Sequence, residues 1–148
     1  MSEQNKAIAR RAIEEVFSAQ GNLDVADELF APNYVHHDPA SPEDIRGPEG
    51  AKEFAGMYRT AFPDVQLSTQ DQIAEGDKVV TRWIASGTHQ GEFMGIAPSG
   101  NRVTVAGTSI ERIVDGKIVE TWDNYDALGM MQQIGATPFP EHQQQAQA

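Results

Sequence analysis

The chain is 148 residues long, the length of one domain, with 39% hydrophobic residues and a formal net charge of −11. Such an excess of carboxylates repels phosphates, which argues against nucleic acid as a partner. Because the sequence has no cysteine, it has no disulfide, thiol nucleophile or zinc–thiolate site. It contains neither the apolar core of a signal peptide nor a membrane-spanning run, so we expect a cytoplasmic protein with no membrane partner.

The first part of the sequence predicts three helices. Apolar residues recur at helical spacing over residues 3–19. A short second helix follows Asn22, a residue that can cap it. Pro48 stands in the first turn of the third helix, which Pro63 closes. The buried stripe of this helix comprises Ala51, Phe54, Ala55, Tyr58 and Phe62.

Beyond Pro63 the apolar period changes from that of a helix to that of a strand. Residues 65–73, 78–88 and 102–114 each predict a strand, and an Asp115-Gly116 turn leads into a fourth, which gives way at Asp126 to a short helix. Helices followed by long antiparallel strands indicate an α+β fold. A strongly twisted sheet curled around the helices would form a cone with an apolar pocket inside. We expect this domain to span residues 1–140, with a disordered Gln-rich tail at 141–148.

The last strand suggests the site. Alternation puts Ile118, Glu120, Trp122, Asn124 and Asp126 on one face. Carboxylates interleaved with large apolar groups are unusual in a plain core, because burying a charge is costly. Such a face suits a cavity that holds an apolar ligand and moves a proton.

Residues 34–39, 62–64, 87–100, 112–118 and 120–135 form a distinctive combination of segments. Together they resemble one family, the SnoaL-like polyketide (ester) cyclases. The resemblance implies the nuclear-transport-factor-2-like cone and an intramolecular aldol ring closure without metal or organic cofactor. It also implies that Asp126 is the general acid/base, and Ser109 stands where the anthracycline cyclases carry an active-site histidine. A homodimer is expected too, because related proteins usually pair and the outer face of a curved sheet needs cover.

The proton-transfer candidates are Asp126, His37 and His89. Asp126 has a second interpretation as the N-cap of the last helix, and both roles can hold together. Adjacent side chains on an extended segment face opposite sides, so at most one of His36 and His37 points inward. The resemblance selects His37, with Asp38 orienting its ring, whereas the alternative is an exposed loop histidine. His89 either fixes the glycine-rich loop that follows it or takes part in the chemistry.

A further set of residues is expected to contact the substrate, which would be small, apolar and carbonyl-bearing. The set is Tyr34, Phe54, Tyr58, Phe93, Met94, Ser109, Arg112, Glu120, Trp122 and Asn124. Glu120 is expected to pair with Arg112 or Arg82. No histidine–carboxylate cluster has metal-ligand spacing, so no metal is expected. The main functional hypothesis is a cyclase or isomerase. One alternative is a non-catalytic pocket for an apolar metabolite, and an epoxide hydrolase ranks last.

Overall fold

The computed structural model describes residues 2–136, which form helices and one sheet. The helices are α1 (Ser2–Arg11), continued by a π-helical turn (Ala12–Val16), α2 (Val25–Leu29), α3 (Gly47–Ala61) and α4 (Ala127–Gln133). The strands are β1 (Phe30–His37), β2 (Ile45–Arg46), β3 (Gln66–Glu75), β4 (Lys78–Thr88), β5 (Arg102–Val114) and β6 (Lys117–Tyr125). The tail predicted at 141–148 lies outside the described residues. Within residues 2–136, no helix is long and apolar enough to cross a membrane.

The strands form one curved sheet in the order β2-β1-β6-β5-β4-β3. Every neighbouring pair is antiparallel except β1 and β6, which run parallel. The predicted α+β class and the predicted cone are confirmed. Strand β1 is not predicted from the sequence, because its Pro32-Asn33 pair resembles a helix terminator followed by a loop.

Two apolar clusters hold the helices against the sheet. The first joins α1, α2 and α3 to β1 and β6 through residues such as Val16, Phe30 and Ile118, all at most 2% exposed. The second joins the end of α3 to β5 and α4, with Phe62 and Met130 among its members. These clusters fix α3 across the sheet, and a cavity remains between them.

The pairing of β5 with β6 decides which face of β6 points toward that cavity. Ser109 pairs with Asp123, and Glu111 pairs with Thr121, so these four side chains share one face. A register shift follows Arg112, where the partner of Ile113 is Ile118. The shift makes Val119 the extra residue of a bulge, and a bulge reverses the alternation on one side of it.

The prediction that the even-numbered face of β6 lines the site is therefore wrong. Ile118 is fully buried, but beyond the bulge the inward residues are Thr121, Asp123 and Tyr125. Strict alternation from the buried Ile118 predicts Glu120, Trp122 and Asn124 as the inward residues. It fails here because the bulge lies between Ile118 and Glu120, and a sequence pattern does not reveal a bulge.

Candidate active site

A cavity of about 100 Å³ lies between α3 and the concave face of the sheet. Aromatic and aliphatic side chains make most of its wall, including Phe17, Phe54, Phe62 and Leu67. The polar lining groups come mainly from one continuous part of the sheet, strands β1, β6 and β5. They are His36, Asp38, Ser109, Glu111, Thr121, Asp123 and Tyr125. An apolar chamber with one polar wall suits a ligand that is mostly hydrocarbon but reacts at a polar group.

Asp123 is the centre of the polar wall. Its Oδ2 lies 2.6 Å from Nε2 of His36, and its Oδ1 accepts a hydrogen bond from Ser109 Oγ. Trp83 Nε1 in turn donates to Ser109 Oγ over 2.9 Å. The side chain of His36 is 1% exposed and that of Asp123 is 13% exposed. The carboxylate is thus held through both oxygens in a nearly dry site.

The tautomer of His36 follows from its surroundings. Nε2 faces the Asp123 carboxylate, so it carries the proton and donates it. Nδ1 is buried and has no hydrogen-bond partner within residues 2–136. The imidazole lies among the rings of Phe17, Tyr34 and Phe54, at centroid distances of 6.5, 6.2 and 5.2 Å. The Nδ1 side of the ring is therefore enclosed by aromatic groups, and the Nε2 side faces the polar wall.

Asp38 forms a second acidic group beside His36. Its Oδ1 accepts hydrogen bonds from Tyr125 Oη and from the backbone N–H of Ala40, both over 2.8 Å. Its Oδ2 lies 3.9 Å from His36 Nε2. Burial raises the pKa of Asp38, and the nearby Asp123 adds to the rise. Burial also raises the pKa of Tyr125 and of Tyr58, whose hydroxyls are 3.1 Å apart, so both phenols stay protonated.

Glu111 lies deeper in the same wall and is 3% exposed. Tyr34 Oη donates to Thr121 Oγ1 over 2.8 Å, and Thr121 Oγ1 lies 3.4 Å from Glu111 Oε2. Burial, with a smaller contribution from the charge of Asp123, raises the pKa of Glu111 to about 8. The carboxyl is therefore mostly protonated at neutral pH.

Comparison with known proteins places this cavity in a family. The family model described as SnoaL-like polyketide cyclase matches residues 7–134. The chain belongs to the SnoaL-like polyketide cyclase family. It is similar to the aklanonic acid methyl ester cyclase AcmA of Streptomyces galilaeus, with 32% identity over 95% of this chain and 96% of the relative. The predicted family and the predicted cyclase type of enzyme are confirmed.

Solved structures of SnoaL-like proteins share the architecture. A protein from Jannaschia sp. CCS1, proposed to be a SnoaL-like polyketide cyclase, has a TM-score of 0.84 at 28% identity, over 93% of this chain and 95% of that one. AclR of Streptomyces galilaeus, proposed to be a hydroxylase, has a TM-score of 0.80 at 28% identity, over 99% of this chain and 91% of that one. The fold thus accompanies more than one proposed reaction, and the side chains of the cavity must distinguish between them.

Asp126 lies outside the cavity of this SnoaL-like chain. It is exposed at the start of α4, where its Oδ1 accepts the backbone N–H of Gly129 over 2.8 Å. The N-cap interpretation therefore describes its contacts. The expectation that it faces the pocket is wrong, because the bulge in β6 reverses the phase of the strand before residue 126 is reached.

His37 lies on the outer face of the sheet, and His36 is the inward member of the pair. His37 contacts Glu120 through Nε2 at 2.7 Å and Asp44 through Nδ1 at 3.0 Å, and it stacks on Trp122. The choice of His37 was wrong because β1 pairs in parallel with β6, with His36 opposite the inward residue Thr121.

Four predicted substrate contacts also lie away from the cavity lining, on the outer side of the sheet. They are Arg112, Glu120, Trp122 and Asn124. Oε1 of Glu120 lies 3.8 Å from Nη2 of Arg112, which is one of the two pairings that the sequence suggested. By contrast Tyr34, Phe54, Tyr58 and Ser109 do line the cavity.

The glycine-rich loop supports the wall without reaching the cavity lining. His89 is fully buried, and its Nδ1 accepts the backbone N–H of Ser99 over 3.1 Å. This contact matches the interpretation of His89 as a residue that fixes the loop. Phe93 packs on Tyr58 from behind, at a ring distance of 5.2 Å. Met94 is 52% exposed and faces a separate apolar depression beside α4.

Five residues of the cavity wall are not predicted from the sequence as cavity residues: His36, Asp38, Glu111, Thr121 and Asp123. For Glu111 a signal was present in β5. Val103, Val105 and Ile113 share its face of that strand with Ser109, so Glu111 is a charged residue in a mainly apolar alternation. The alternation in β5 also indicates the inward face of β6, because directly paired residues of neighbouring strands lie on the same face of the sheet.

One cluster in the described part of the chain has donors close enough for a metal. Ligand atoms of His36, Asp38 and Asp123 lie within 4.8 Å of one another. However, Nε2 of His36 and Oδ2 of Asp123 are only 2.6 Å apart. A metal bonded at about 2.1 Å to both would hold these atoms more than about 3 Å apart. The arrangement therefore fits a shared proton rather than an ion, and the expectation of no metal remains a prediction.

Proposed function

We propose that this SnoaL-like cyclase closes a ring in an apolar, carbonyl-bearing polyketide ester by an intramolecular aldol reaction, with Asp123 as the proton-transfer group. The observation that carries the proposal is a carboxylate held at the wall of an apolar cavity by two side-chain donors, His36 and Ser109. The family match supports this reaction, as does the substrate in the name of the AcmA relative, aklanonic acid methyl ester.

Asp123 takes the role that the resemblance first suggested for Asp126. By the resemblance, the catalytic aspartate of the anthracycline cyclases is accompanied by a histidine on the neighbouring strand, and Ser109 stands at the position of that histidine. Strand β5 pairs Ser109 directly with Asp123, and Ser109 Oγ donates to that carboxylate. The carboxylate beside the family's histidine position is therefore that of Asp123.

The reaction balances without an oxidant or reductant. A free lone pair of the Asp123 carboxylate takes a proton from a carbon between two carbonyl groups, which leaves an enolate. The enolate carbon forms a bond to a ketone carbon of the same molecule, and the ketone oxygen becomes an alkoxide. The alkoxide takes the proton back from Asp123, so the product is an isomer of the substrate and the enzyme is restored.

His36 and Ser109 serve this step by fixing the carboxylate. Each donates a hydrogen bond to a different oxygen of Asp123, and each oxygen keeps a lone pair for the substrate. The aromatic walls supply the second contribution, because an apolar chain confined in a small cavity is held in a folded conformation. A substrate already acidified by two carbonyls needs that positioning more than a strong base. We propose that Tyr34, Phe54 and Tyr58 contact the substrate.

The deciding experiment incubates the purified protein with aklanonic acid methyl ester and follows the products by chromatography and mass spectrometry. Ring closure gives a product with the mass of the substrate and a new retention time. The Asp123→Asn variant should lose this product, because an amide cannot take up the proton. The Asp126→Asn variant is the matched control and should retain it.

Each alternative has its own outcome in that experiment. A product that has gained one oxygen atom would indicate the hydroxylation proposed for AclR. A parallel incubation with an epoxide tests the hydrolase, which would add the mass of one water molecule. Binding without any product would favour a non-catalytic pocket and contradict the proposed cyclisation of this ester.

The homodimer and the cytoplasmic location remain predictions from the sequence. Sedimentation equilibrium of the full chain measures the molecular mass and tests the dimer directly.

A further inference from the structure

We propose that Glu111 is a substrate-recognition residue, whose Oε1 donates a hydrogen bond to a ketone or quinone oxygen of the ligand at the deep end of the cavity. The inference rests on the proposed function for the identity of the ligand, but its argument depends only on the cavity. Neither the family model nor the relatives' names assign any role to this position.

The position of Glu111 relative to Asp123 sets the geometry. Ser109 and Glu111 are two residues apart on β5 and face the same way, which separates them by about 7 Å along the strand. Asp123 pairs with Ser109, and Thr121 pairs with Glu111. A ligand whose reacting carbon contacts Asp123 therefore meets Glu111 with a group about 7 Å further along. Two fused aromatic rings span about this length.

The hydrogen bonds around Glu111 leave one of its oxygens unused. Among residues 2–136, Oε1 is buried without any hydrogen-bond partner. Burying a polar oxygen without a partner is destabilising, and native interiors avoid it unless the group serves a purpose. Glu111 is among the residues that line the cavity, so a ligand that reaches the deep end of the cavity is the partner that we assign to Oε1.

The direction of the neighbouring hydrogen bonds tells which kind of partner fits. Tyr34 Oη donates to Thr121 Oγ1. Thr121 therefore directs its own proton at Glu111 Oε2, which must act as the acceptor. In a neutral carboxyl the acidic proton then lies on Oε1. The raised pKa of Glu111 supports the neutral form. A donor at that point selects an acceptor, and the acceptor oxygens of an apolar polyketide are its ketone and quinone carbonyls.

A pair of ligands of equal shape tests this. 2-Acetylnaphthalene carries a carbonyl, and 2-isopropenylnaphthalene replaces that oxygen with a methylene group. We expect the wild type to bind the ketone about tenfold more tightly than the hydrocarbon, the usual effect of one buried hydrogen bond. Glu111→Leu should lose the difference by weakening the ketone alone, and Glu111→Gln, which keeps an N–H donor, should retain it. Glu53→Leu, the same exchange at an exposed residue of α3 that does not line the cavity, is the matched control and should also retain it.

The result that overturns the proposal is an equal preference in the wild type and in Glu111→Leu, or no preference in the wild type. If the leucine variant does not fold, pH gives a second test. The titratable groups that face Glu111 in the cavity are Tyr34 on β1 and Asp123 on β6. The ketone preference should fall above about pH 8 in the wild type, as Glu111 loses its proton, and stay constant in Glu111→Gln. A preference that falls equally in both proteins rejects the proposal.

The binding test is independent of turnover, because neither naphthalene compound has a second carbonyl to close a ring. A protein that shows the Glu111-dependent preference but does not cyclise the polyketide ester contradicts only the proposed function. A protein that cyclises the ester without that preference contradicts only the role of Glu111.

Discussion

His36 Nε2 and Asp123 Oδ2 are 2.6 Å apart, although the two residues are 87 positions apart in the sequence. They meet because β1 and β6 are the parallel pair of the sheet, with His36 opposite Thr121. No local sequence motif contains both residues. The site therefore depends on one long-range pairing that brings an early strand against the last one.

Substitutions at Asp123 and Asp126 should affect different properties of the protein. Those at Asp123 should change the rate of ring closure, and those at Asp126 the free energy of unfolding. Asp123→Asn is expected to lower the rate of ring closure by about 10²–10⁴-fold, the usual contribution of a positioned proton-transfer group. Asp126→Ala should leave the rate near that of the wild type and lower the free energy of unfolding by about 1 kcal/mol, because it removes the N-cap contact to Gly129. Asp126→Asn should change neither quantity. Initial rates and urea unfolding of the same preparations measure both, and a rate that falls with Asp126→Asn would restore the original assignment.

His36 and His37 form a second matched pair. His36→Asn should lower kcat by about 10²-fold with a smaller effect on KM, because the Asp123 carboxylate loses the donor that orients it and a misplacement of about 1 Å has such an effect. His37→Asn disturbs only the outer-face contacts to Glu120 and Asp44 and should leave kcat unchanged. A positioning role predicts that His36→Gln, with its amide donor, recovers part of the rate. Equal rates in His36→Asn and the wild type would remove His36 from the site.

The sequence contained enough to predict the fold and the composition of the pocket but not the inward face of each strand. Helical spacing in α3 correctly placed Phe54 and Tyr58 on the cavity wall, because a helix repeats without interruption between its caps. In β6 the extra residue Val119, opposite the step from Arg112 to Ile113 in β5, changes the alternation. A shift of one residue exchanges the two faces of the strand completely. In β1 the adjacent histidines are equivalent by pattern, and only the pairing with β6 distinguishes them.

Gly107 controls the orientation of Trp83. A Cβ at position 107 would overlap Cζ2 of the Trp83 ring. Gly107→Ala should therefore displace the indole and break its hydrogen bond to Ser109 Oγ, with a loss of about 1–3 kcal/mol from overpacking. The tryptophan emission should shift, and kcat should fall because Ser109 no longer holds Asp123 from a fixed position. Gly56→Ala, in α3 with no atom within 4 Å of the added methyl, is the control and should stabilise the protein.

Glu111 should make the protein less stable as the pH rises from mildly acidic to mildly alkaline. Its pKa is about 8 in the folded state against an ordinary value of 4.5. Between these two values the unfolded chain has released the proton while the folded protein still binds it, so unfolding releases a proton and is favoured by rising pH. The contribution is fully present below about pH 4.5 and is lost by about pH 8, with a slope of at most about 1.4 kcal/mol per pH unit. Tyr34 stays protonated throughout this range because burial raises its pKa.

Glu111→Gln removes this titration without removing the side chain. The difference in the free energy of unfolding, variant minus wild type, should therefore become more positive as the pH rises through this window and level off above about pH 8. Urea unfolding at closely spaced pH values gives that difference directly, and groups common to both proteins cancel from it. A flat difference across the window would show that Glu111 is ionised in the folded protein, and would also remove the donor on which carbonyl recognition depends.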